Sequence, residues 1–90
     1  MSGKNNYENL NQQNHLVKIL RKIRLDANLR QTDLSKLLNR PQSYVSKYES
    51  GSQNLDLLEI RQICLITGIT LQKFVELLES SLQNGVIDET

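Results

Sequence analysis

Residues 31–51, QTDLSKLLNRPQSYVSKYESG, decide how this chain is read. They predict two short helices, about 31–38 and 42–49, joined by a tight turn at Asn39-Arg40-Pro41. Asn tolerates the left-handed backbone that stops a helix, and proline suits a first helical turn, where no amide proton is needed. The first helix gathers Leu34, Leu37 and Leu38 on one face. The second turns Val45 and Tyr48 inward and leaves Gln42, Ser43, Ser46 and Lys47 outside. Short amide, hydroxyl and amine groups on an exposed helix face are chemically matched to base edges and phosphates in a DNA major groove. A merely solvated hairpin face would carry the same residue types, so the flanking chain has to weigh in.

Outward from this core the pattern stays helical. Leu16, Ile19, Leu20, Ile23 and Ala27 recur at helical spacing and predict a first helix over about 15–27, ended by Asn28. Asp56 with Glu59 three residues on forms a capping-box pattern ahead of a stripe of Leu57, Ile60, Ile63 and Cys64, and Gly68 ends that helix. Thr70 caps a fifth helix carrying Leu71, Phe74, Val75, Leu78 and Leu82. No segment alternates with period two. The expected fold is therefore all-α, a compact five-helix domain over residues 15–82, after an Asn- and Gln-rich arm over residues 1–14 (flexible, or a short helix of its own) and before a tail over residues 83–90.

Composition narrows the function classes. Ninety residues make one domain with a modest core. No apolar run approaches a membrane span and no secretory h-region opens the chain, so a cytoplasmic protein without membrane partners is expected. A lone Cys64 cannot form an internal disulfide, which suits a reducing compartment. One histidine and one cysteine make no metal site. With His15 alone at a helix start, no convergent carboxylates and no Gly-rich phosphate loop, neither catalysis nor a cofactor is expected. The net charge of +1 hides a division: eight basic against three acidic side chains from His15 to Ser50, then two against six from Gly51 onward. A basic half for polyanions and an acidic half for protein contacts fit that split.

From about Leu20 to Leu78 the sequence resembles the Cro-type helix-turn-helix family, the phage-repressor-like or XRE DNA-binding domains. Asn28-Leu29-Arg30-Gln31-Thr32-Asp33-Leu34-Ser35 is similar to the family's Gly-Leu-Ser-Gln-x-x-Leu-Ala. Val45-Ser46-Lys47-Tyr48-Glu49-Ser50-Gly51 is similar to its Ile-Ser-x-x-Glu-x-Gly, and Asp56-Leu57 and Gly68-Ile69-Thr70 match the starts of its last two helices. Departures are Arg30 at the usual Ser or Thr cap, Asn28 and Asn39 for glycines, and a loop at 52–55 without the customary cations.

The resemblance implies a lambda-repressor-like fold, and double-stranded DNA as partner. Gln42 and Ser43 then open the recognition helix and, with Lys47 one turn on, supply base contacts. Phosphate contacts are expected from Gln31 at the amino end of the second helix, and from Arg30, Lys36, Arg40, Tyr44, Ser46 and Ser50, with simple packing the alternative for Tyr44. It also implies a partly buried Arg24–Glu49 ion pair between helix one and the end of helix three, and leaves Asp33 to cap helix two. A homodimer is usual for such domains. Leu65, Leu82, Val86 and Ile87 provide a surplus of apolar side chains for its interface, with intramolecular packing the alternative for Leu82. The leading expectation is a small transcriptional regulator of repressor or controller type. Its alternatives are an antitoxin that represses its own operon and holds a toxin with its acidic tail, and a protein-interaction module on the same fold.

Overall fold

The computed structural model describes the backbone of residues 6–84 and the side chains of residues 11–84. Within that range lie five helices and no strand: α1 (Asn6–Asp26), α2 (Gln31–Leu37), α3 (Tyr44–Glu49), α4 (Leu57–Thr67) and α5 (Leu71–Asn84). Helix α1 packs against α3, α4 and α5, while α2 packs on α3 and α4 on α5. Ile19, Leu20, Ile23, Leu34, Leu38, Val45, Tyr48, Ile60, Ile63, Cys64 and Phe74 meet in a single core, so every helix contributes.

The ends of the helices follow local chemistry. Asn28 and Asn39 adopt φ of 60° and 58°, the left-handed stops that their short amide side chains tolerate. At α2, the Arg30 backbone N–H donates to Asp33 Oδ2 at 2.9 Å, so Asp33 performs the capping that Arg30 cannot. The capping box of α4 is complete: Glu59 N–H donates to Asp56 Oδ1, and Asp56 N–H to Glu59 Oε1, both at 2.8 Å. Gly68 closes α4 at φ 88°, and the Lys73 N–H donates to Thr70 Oγ1 at the start of α5.

Four expectations are corrected. Helix α1 begins at Asn6, so residues 6–14 continue it instead of forming a separate arm. No proline or glycine interrupts this segment, and contacts from other elements hold it: Gln13 Nε2 donates to Asn54 Oδ1 at 3.0 Å, and His15 Nδ1 is hydrogen-bonded to Ser81 Oγ of α5. His15 is thus buried in mid-helix and not at a helix start. Helix α3 begins at Tyr44, two residues later than its polarity pattern predicts, because the Tyr44 N–H donates to the Pro41 carbonyl and residues 41–44 close as a turn. Leu37, Leu57 and Val75 are exposed. Leu37 lies at the edge of the α2 stripe, where Leu34 and Leu38 already fill the core, and Leu57 occupies the first turn of α4, beyond the core's rim. The tail from residue 85, including Val86 and Ile87, lies outside the described residues.

Candidate nucleic-acid interface

The short helix α3 is fixed from three sides. From α1, Arg24 Nε donates to Glu49 Oε2 at 2.7 Å and Nη2 to Oε1 at 3.0 Å, a bidentate pair whose side chains are 6% and 4% exposed. Arg24 Nη1 also donates to the Leu29 carbonyl, so one guanidinium joins α1, the loop before α2 and the last residue of α3. Hydrogen bonding to Glu49 raises the Arg24 pKa above its ordinary value. The ion pair expected from the resemblance is present.

From α2, the Gln31 amide Nε2 donates to Glu49 Oε1 at 3.0 Å. Gln31 is half-buried and tied to the end of α3, with its second amide proton left for another acceptor. Ser35, fully buried, accepts the Val45 N–H on Oγ at 3.1 Å. The Ser35 backbone carbonyl accepts the Arg40 N–H at 3.0 Å, so this single residue holds both ends of the connecting turn.

From α4, Glu59 reaches across to the start of α3. Its Oε2 accepts the Tyr44 hydroxyl at 3.4 Å and lies 3.5 Å from Arg40 Nη2. The Arg40 guanidinium stacks 4.9 Å above the Tyr44 ring, and that ring meets Tyr48 edge-on at 5.5 Å. Burial, reinforced by the Glu59 charge, pushes the Tyr44 phenol upward. Tyr44 is packed in the core, as in the packing alternative, with its hydroxyl donating to Glu59.

What remains outside is a compact polar edge. Thr32, Lys36, Asn39, Arg40 and Gln42 line one surface depression beside the turn, which brings Lys36, Arg40 and Gln42 together. Ser43 follows at the amino end of α3, and Lys47 one turn later; both are exposed. Among the described residues the side chains of Gln42, Ser43, Lys36 and Lys47 make no hydrogen bond or ion pair. Other candidates already have partners. Arg30 pairs with Asp33 at 3.0 Å on the surface, Ser46 Oγ donates to the Ser43 carbonyl, and Ser50 Oγ donates to the Lys47 carbonyl. Exposed ties of this kind exchange for a phosphate at small cost, because surface pairs contribute little net energy.

Sequence reasoning missed two contributors. Glu59 reads as a capping residue, and its second role depends on a helix fifteen residues upstream. Ser35 shows only as a polar residue where a helix pattern calls for a small one.

Residues 20–74 match a family model described as helix-turn-helix. The match runs from the second half of α1 to the first turn of α5 and contains every residue of the edge just described. No curated protein shows a significant match to the chain.

Proposed function

With more than half of its length inside that match, the chain belongs to the XRE/Cro-type helix-turn-helix family of DNA-binding domains, and we propose that it is a small transcriptional regulator that reads an operator as a homodimer. In this reading α3 lies in the major groove. Gln42 is suited to adenine N6 and N7, Ser43 to an adjacent base edge, and Lys47 to guanine or a nearby phosphate. Gln31, Arg30, Lys36, Arg40, Ser46 and Ser50 are assigned to phosphates, which position the protein without reading sequence. Tyr44 drops out of that set and supports the helix from behind.

The observation that carries the reading is a division of labour along α3. Its inner side and both ends are fastened by Ser35, Glu59, Gln31 and the Arg24–Glu49 pair. Among the described residues, the side chains assigned to bases on chemical grounds, Gln42, Ser43 and Lys47, are left without intramolecular hydrogen bonds or ion pairs, as is Lys36 among those assigned to phosphates. A solvated face needs no such fastening; a reading head does, because base contacts demand a fixed register.

The dimer reading is supported by α4, where Leu58 and Leu65, seven residues apart on one face, are 74% and 57% exposed. Leu65 is thereby retained as an interface residue, and half-buried Leu82 with it. Two recognition helices related by a two-fold axis then contact half-sites about 34 Å apart. Selection from a pool of random duplexes tests the function: enrichment of a near-palindrome with half-sites about one helical turn between centres is expected. A pool recovered without enrichment rejects it in favour of a protein-interaction module.

A further inference from the structure

Helices of this kind usually cap themselves. The residue before the first turn offers its side-chain oxygen to the second or third amide of the helix. Ser43 is in that place on α3, with the right chemistry, yet it makes no such bond, and its backbone (φ −89°, ψ 2°) departs from the extended conformation that capping requires. The second amide, Val45 N–H, is satisfied instead by Ser35 Oγ of α2, ten residues upstream and fully buried. Without that oxygen the Val45 amide would be a buried donor in need of an acceptor, and Ser43 would be the nearest chemically competent group.

We propose that Ser35 caps the recognition helix in place of Ser43, and that it is a specificity-determining positioning residue which frees the Ser43 hydroxyl, and the adjacent Gln42 amide, to contact bases. Its backbone carbonyl holds Arg40 and its hydroxyl holds Val45, so Gln42 and Ser43 hang between two bonds to one residue. That suspension sets their height and direction over the groove. Ser35 touches no DNA in this arrangement and acts only through the turn, a role that rests on the DNA-reading function above.

The test uses the full chain in its native form and as S35A, S43A and S35A/S43A, with S35C as a slightly larger variant of the same shape that offers a weaker acceptor. In urea denaturation without DNA, S35A and S35C should lower the midpoint while S43A leaves it unchanged. In the S35A background, where Ser43 has taken over the cap, S43A should lower it further. A midpoint lowered by S43A in the native background as much as by S35A overturns the proposal. In the second arm, affinity for the selected duplex is compared with affinity for generic duplex. Loss of one hydrogen bond corresponds to about three- to ten-fold, so S35A and S35C should narrow that ratio by about this factor at the base pair under Ser43, with generic affinity retained. An unchanged ratio, or an equal fall in both affinities as from simple destabilisation, overturns it. A native protein without preference among duplexes overturns the functional reading itself, and the denaturation arm, which needs no DNA, tells the two failures apart.

Discussion

Arg24 and Glu49 show how a buried charge serves orientation. Two hydrogen bonds join them and a third and fourth tie in Leu29 and Gln31, so the carboxylate at the end of α3 is enclosed by donors from α1 and α2. Desolvation offsets much of the attraction in such a pair, but removing one member strands the other. Arg24→Ala should therefore destabilise the fold by about 3–5 kcal/mol in chemical denaturation, whereas joint replacement by apolar residues of similar size should cost far less. At the outer surface the contrast is between reading and positioning. Gln42→Ala should lose about 1–3 kcal/mol for the preferred duplex and relax preference at one base position, while Arg40→Ala should weaken all duplexes about equally, both measured by fluorescence anisotropy. The reverse pattern would mean that α3 lies rotated in the groove. Residues whose role depends on near neighbours in sequence, such as Asn28, Asn39, Asp56 and Glu59 as a cap, are legible from the sequence. His15, Ser35 and Tyr44 are not, because their partners lie 66, 10 and 15 residues away and no local pattern announces them.

Among the elements, α2 illustrates how far local chemistry reaches. Asp33 accepts the Arg30 guanidinium on both carboxylate oxygens and the Arg30 N–H on one. These bonds hold its pKa below the ordinary aspartate value of 3.8, the side-chain bond foremost. Since the folded value is the lower one, the stabilisation is present above the ordinary value and fades as pH falls through the folded value. A carbon-detected NMR titration should place the Asp33 midpoint under 3.8, and a midpoint at or above it would contradict the cap. Helix type and number are legible because 3.6-residue periodicity is a property of each segment alone. Boundaries are less so. The α1 extension to Asn6 depends on docking against α5 and the loop at Asn54, and the late start of α3 depends on the turn closed by Pro41. Which leucines of a stripe are buried is also hidden, since the length of the neighbouring helices decides where the core ends.

At the scale of the whole molecule, the charge division along the sequence is bridged at one point: Glu59 of α4 pairs with Arg40 of the basic turn at 3.5 Å, while Glu76 and Glu79 are carried by α5. Like charges at a dimer contact oppose association, so the apolar pair Leu58 and Leu65 is the part of the acidic half suited to self-association. Replacing Leu65 and Leu82 together by glutamate should give a folded monomer in sedimentation, with much weaker binding to a palindromic duplex; an unmodified protein that is monomeric at high micromolar concentration would remove the dimer. The central claim, that the edge formed by the turn and α3 is built for a polyanion, is tested most directly by salt. Anisotropy titrations of the native protein with its selected duplex should show the logarithm of affinity falling linearly with the logarithm of salt concentration, with a slope of about −0.9 for each phosphate neutralised. Lys36→Ala and Lys47→Gln should each make that slope shallower, by up to about one for every phosphate that is no longer neutralised. An affinity that stays flat from low to physiological salt would contradict the assignment of this surface to DNA.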